Sequence, residues 1–142
     1  MKEIIESITE LDETHINEEP EVYTKYQEVY DGYMITTNKQ NIYVLISSGQ
    51  NCCEQYGYIS FQDDLKQFIG SELLSLSVVD TTLNKQTLDN EFPYGFDGGD
   101  IVFVHFETTV GTMELAVYNA HNGYYGHRAK ILSNTINEVK RI

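Results

Sequence analysis

Two cysteines stand side by side in "QNCCE" (residues 50–54), and the 142-residue chain has no others. A thiolate can act as nucleophile, redox partner or metal ligand, so Cys52 and Cys53 are the first place to look for chemistry. Neighbours on an extended chain point to opposite faces, and gripping one metal or bonding to each other would strain the backbone. CxxC spacing, which permits both, is absent. The expectation is that neither binds a metal. One should pack in the core as a small apolar group while the other meets solvent or a partner.

The histidines are the next candidates. His105 and Glu107 lie two apart in "DIVFVHFETT" and would share a strand face, with Asp100 opening the run and His121 and His127 flanking the following turn. Zinc needs three or four converging ligands, and no HxH or HExxH spacing frames them. No metal or other cofactor is expected. The segment "YNAHNGYYGHR" gathers Asn119, His121, Asn122, Tyr124, Tyr125, His127 and Arg128 in the least acidic part of the chain. Such a group could hydrogen-bond a ligand, stack on a ring and offer one arginine to an anion. The same residues also have a structural use, since Asn122-Gly123 is a hairpin turn signal and tyrosines suit half-buried strands. Both readings stay open.

Gly98-Gly99 follows a loop and lacks GxGxxG or GK[ST], so it is no phosphate loop. A GxSxG nucleophile elbow is missing. Carboxylate pairs abound in so acidic a chain, which makes each one uninformative. No catalytic set assembles, and a non-enzymatic protein is expected.

The elements that would position these residues read as an α+β domain. "KEIIESITELD" places Ile4, Ile5, Ile8 and Leu11 at helical spacing and predicts a short N-terminal helix. An acidic linker around Pro20 follows, and residues 1–30 stand apart from a core over 31–132. "YDGYMITTNKQNIYVLIS" predicts a hairpin turning at Asn38–Asn41, with Val44 and Ile46 on one face and Tyr43 and Leu45 on the other. "CCEQYGYISF" reads as a third extended run. "QDDLKQFIG" predicts a helix of two to three turns, capped by Asp63 or Asp64 and closed at Gly70. "ELLSLSVVDTTL" is a strand and "NKQTLDNEFPYGFDGGD" a loop. "DIVFVHFETT" and "TMELAVYNA" form an antiparallel pair about Val110-Gly111, and "RAKILSN" closes the sheet. The sum is one domain with a mainly antiparallel sheet of five or more strands and one or two short helices.

"QNCCE", "DDLKQFIGSELLSL" (63–76) and "NGYYGH" (122–127) together resemble a family of small uncharacterised proteins of Gram-positive bacteria and their phages. The resemblance covers roughly residues 30 to 130 and leaves the N-terminal thirty outside. That family's usual form has His or Asp in the turn before the cysteines, whereas this chain has Ser47-Ser48-Gly49. The resemblance implies a fold and a mobile-element origin, and no particular activity.

Charge bears on partners. The formal net charge is −13, with nine acids against two lysines in residues 1–30 and ten against three in 31–100. From residue 101 onward three acids meet four basic residues. Such a field repels nucleic acid phosphates and attracts basic protein surfaces, although acidity also simply keeps small proteins soluble. The N-terminus lacks a signal peptide's basic start and apolar centre, and no apolar run nears the roughly 20 residues that cross a bilayer. A cytoplasmic protein off the membrane is expected. The leading expectation is a binding protein of phage type that inhibits a host protein, an anti-CRISPR or anti-restriction inhibitor being its concrete form. Glu18, Glu19 and Glu21 would meet a basic host surface. The alternatives are a binder of a nucleotide signal at the "HNGYYGHR" turn and an immunity protein against a basic toxin.

Overall fold

Side chains alternate along β3 (Asn41–Ser47), and this alternation divides the molecule into layers. Ile42, Val44 and Ile46 enter one apolar cluster, while Tyr43 and Leu45 enter another on the opposite face. The computed structural model describes residues 1–14, 29–50, 53–96, 98–121 (without the His121 side chain) and 125–142. Among these, β1 (Ile5–Thr14), β2 (Tyr30–Thr37), β3, β4 (Tyr56–Ser60) and β5 (Leu73–Val79) come first. The helix α1 (Lys85–Glu91), β6 (Gly98–Thr108), β7 (Gly111–His121), β8 (Arg128–Leu132) and β9 (Asn137–Arg141) follow.

The strands form two antiparallel sheets, ordered β1-β2-β3-β8-β9 and β4-β7-β6-β5. Ile35, Ile42, Val44 and Ile46 of the first meet Val104, Phe106, Met113, Leu115 and Val117 of the second. The core therefore lies between two sheets, as in a β-sandwich. This corrects the expected α+β class. Helix is limited, among the described residues, to seven-residue α1 and a 3₁₀ turn at Leu65–Phe68. The expected strands over 33–37, 42–47, 73–81, 101–108 and 112–119 exist, yet they are split between sheets.

The N-terminal helix is instead β1, paired with β2 from Ile5↔Thr37 to Thr14↔Tyr30. A register shift between Ile5 and Ser7 explains the misleading pattern. The extra residue restarts the alternation, so Ile5 and Ile8, three apart, both reach the inner core. The helix predicted over 63–70 shrinks to the 3₁₀ turn, with Asp64 Oδ1 accepting from the Lys66 N–H at 3.0 Å as its cap. Gly70 follows at φ +89°. The expected loop over 84–100 holds α1. "RAKILSN" forms β8 but does not close a sheet: it lies inside the first one between β3 and β9, and the edge strand β9 has no counterpart in the expectation. Cys52 lies outside the described residues and residues 53–55 are not strand: β4 begins at Tyr56, and Cys53 is exposed in a bend.

β2 crosses closely over β3 at Gly32. Its φ is +147°, and a Cβ there would stand 2.0 Å from the Val44 carbonyl oxygen. Only glycine fits without displacing a backbone of the central pair. Gly32→Ala should therefore lower stability by about 1–3 kcal/mol, read as a lower urea midpoint, with far-UV dichroism retained at low denaturant.

Candidate functional site

β4 is an edge strand of the second sheet, paired with β7 in the register Tyr56↔Asn119 and Tyr58↔Val117. The outer face of that sheet is covered by α1 and its exit: Leu88, Phe92 and Phe96 pack on Phe61, Phe103 and Ala116. Seven residues make too short a helix to stand alone. A buried carboxylate anchors it.

Glu114 on β7 is fully buried. Thr82 Oγ1 donates to its Oε1 at 2.6 Å, Asn84 Nδ2 to the same oxygen at 2.9 Å, and the Leu83 N–H to Oε2 at 3.1 Å. His105 Nε2, directly across on β6, bonds to Oε2. Burial pushes the carboxyl pKa up, but the bonds from Asn84, Thr82, the Leu83 N–H and His105 together outweigh it and hold it below the usual glutamate value. Thr82–Asn84 lead directly into α1, so this carboxylate fixes where α1 begins.

A second buried acid lies at the end of the sandwich where β3, β4 and β8 meet. His127, 3% exposed, places Nε2 3.0 Å from Oε2 of Glu54, 1% exposed. Its Nδ1 is 2.6 Å from the Ser47 carbonyl oxygen. A carbonyl only accepts, so Nδ1 carries a proton, and one further proton lies between Nε2 and Glu54. The imidazole stacks on Tyr56 at 4.0 Å between centroids. Beside it Asn119, fully buried, donates to the carbonyls of Tyr125 (3.1 Å) and Ile142 (3.2 Å), while its Oδ1 has no hydrogen-bond partner among the described residues.

Between β4 and the end of α1 opens a pocket of roughly 510 Å³. Tyr118 and Phe92 form its aromatic wall, Tyr58 borders it, and Glu91, Gln50 and Gln55 supply polar groups. Phe92 and Tyr118 meet edge to face at 4.7 Å. Tyr118 lies across β4 because position 57 is glycine, where a Cβ would come within 2.9 Å of the Tyr118 hydroxyl.

The residues singled out in the sequence scatter. Asn119 and His127 converge in the buried cluster, whereas Tyr125 and Arg128 are exposed. His121 ends β7; Asn122 and Tyr124 lie outside the described residues, as do Cys52, Glu18, Glu19 and Glu21. Asp100 pairs with Lys140 at 2.8 Å, and Glu107 accepts from Thr112 at 3.0 Å. His105 is thus joined to Glu114 rather than set in a cluster with Glu107. Glu54 and Glu114 were passed over by sequence reasoning. Pairing in the β6–β7 hairpin was the available signal for Glu114, since a turn at Thr109-Val110 sets it opposite His105.

Two outcomes follow. Glu114→Gln should lose about 1–3 kcal/mol at neutral pH, because donors aimed at a carboxylate meet an amide N–H₂. The native carboxyl pKa is lowered, so its stabilisation is complete above the ordinary glutamate value of about 4.3 and disappears as pH falls through the folded value. The gap between wild type and variant should close in that acid window, measured by denaturant titration at stepped pH. His127→Ala should cost about 3–5 kcal/mol by taking the imidazole away from the buried Glu54 carboxylate, and the double change of His127 and Glu54 to leucine should recover much of the loss.

No helix among the described residues is long and apolar enough to cross a membrane. Comparison with curated proteins and with solved structures returns no match. Residues 2–131 match the family described as "Domain of unknown function (DUF7448)", a span that takes in β1 and runs into β8. The resemblance seen in the sequence implied an uncharacterised family, and the match extends over the N-terminal segment as well. The chain belongs to the DUF7448 family.

Proposed function

We propose that this chain is a non-enzymatic binding protein that docks on a basic surface of a host protein and blocks it. The observation that carries the reading is an acidic end of the first sheet. Glu10, Asp12 and Glu13 are exposed on β1 beside Asp31 of β2, and neither strand contains a lysine or arginine. Glu13 adopts φ 46° within a register shift, and its N–H donates to Asp31 Oδ1 at 2.8 Å. Burial raises the Asp31 pKa; the Glu13 N–H opposes this, and the Asp12 and Glu13 charges add to the rise. Like charges crowd here without a compensating cation on their strands, which favours a cationic partner.

Glu18, Glu19 and Glu21 follow in sequence and extend the same charge. In its concrete form the protein is an inhibitor of phage or mobile-element type, anti-CRISPR or anti-restriction, whose carboxylates occupy a channel built for nucleic acid phosphates. The net charge of −13, eleven tyrosines suited to interfaces and the family resemblance support that form. The chain should recover a basic nucleic-acid-handling protein from host lysate at low salt, release it at high salt, and be displaced by added DNA. Changing Glu10, Asp12, Glu13, Glu18, Glu19 and Glu21 to their amides should slow association more than it speeds dissociation. Recovery of no basic partner at either salt would end this reading.

A further inference from the structure

The pocket beside β4 carries a chemistry of its own. Its described lining includes carboxylates, amides and aromatic rings but no lysine or arginine. The Phe92–Tyr118 pair stands at 68°, a corner rather than a flat stack. Tyr58 borders the pocket from the opposite face of β4, where it meets Tyr33 edge to face at 5.0 Å in the core between the sheets. Each tyrosine also lies in a negative field. Burial and then Glu91 raise the pKa of Tyr118; burial and then Glu10, Asp31 and Asp12 raise that of Tyr58. A phosphate would be repelled here, which argues against a nucleotide as occupant.

We propose that this pocket seats an organic cation, an ammonium or guanidinium group on an alkyl stem. The ring quadrupoles of Tyr118 and Phe92 attract a cation within about 6 Å of a centroid. Glu91 balances the charge, and the side-chain carbonyl of Gln55 supplies an acceptor for its N–H groups. The volume suits a side chain or small amine, within the range of about 300–1,000 Å³ for ligand pockets. Glu10, Asp12 and Asp31, which act on Tyr58, place the acidic end of the first sheet within electrostatic reach of the pocket. The cation comes either from a lysine or arginine of the basic partner, in which case the site rests on the preceding reading, or from a free polyamine.

The test is a titration of the ¹⁵N-labelled full chain, followed by amide chemical shifts, with three probes. These are acetyl-Gly-Arg-Gly-amide, the same peptide with neutral citrulline in place of arginine, and spermidine. The arginine peptide should bind with Kd of about 1 mM or weaker and move the amides of 56–59, 91, 92 and 118. The citrulline peptide should bind about tenfold more weakly, because cation–π attraction needs the charge. Glu91→Gln, at an exposed position, and Tyr118→Leu should each weaken binding severalfold, with thermal melts confirming that both variants fold. Spermidine binding more tightly than the peptide assigns the site to free amines, and the reverse order assigns it to a partner's side chain. Equal binding of the arginine and citrulline peptides would overturn the proposal, as would shifts confined to β1 and β2. The latter result would leave the acidic docking surface standing. Shifts in the pocket without any protein captured from lysate would remove the partner and keep the site.

Discussion

A single buried residue, Glu114, joins four segments of this protein. Its carboxylate takes bonds from the loop that starts α1 and from His105 of β6. Its backbone holds the chain beyond β4, where the N–H donates to Gln62 Oε1 at 2.7 Å and the carbonyl accepts from the Phe61 N–H at 3.1 Å. A charge at that depth survives only when its oxygens are filled with donors. Here the donors belong to sequence-distant pieces, so satisfying the charge also sets their positions. Phe92 and Glu91 stand over Tyr118 because the helix start is fixed at Asn84.

The strands were largely legible in the sequence, and their grouping was not. Val44/Ile46 against Tyr43/Leu45 follows from alternation alone, and the observed clusters keep that division. β1 was misread because a bulge places Ile5 and Ile8 three apart on one face, the spacing a helix would also give. α1 was hidden in a stretch rich in Asn, Asp and Gly, whose helix depends on tertiary hydrogen bonds more than on propensity. The division into two sheets depends on β8 choosing β3, a long-range pairing that no local pattern announces.

The site shows the same limit at finer scale. A turn centred one residue later, at Val110-Gly111, would set His105 opposite Ala116 and leave the histidine facing no acid. The actual turn, Thr109-Val110, sets it opposite Glu114. Asn119 and His127 were legible as polar residues near a turn, but they point inward and bind their own chain. Tyr118 and Phe92 are ordinary aromatics in the sequence. They become a wall only where β4, β7 and the end of α1 adjoin.

The path of the chain between sheets also bears on its synthesis. β3 pairs with β8 through Tyr43↔Leu132 and Ile46↔Ala129, across the whole of the second sheet in sequence. At about 5–20 residues per second the interval between the two strands lasts on the order of several seconds, whereas hairpins close in about 1–10 μs. Until β8 emerges, β3 keeps an open, strongly apolar edge of the kind that joins other chains. The first hundred residues carry nineteen acids against five lysines, and the basic excess arrives only in the part that contains β8 and β9. Neighbouring nascent chains on one messenger thus repel each other throughout the interval in which that edge is bare.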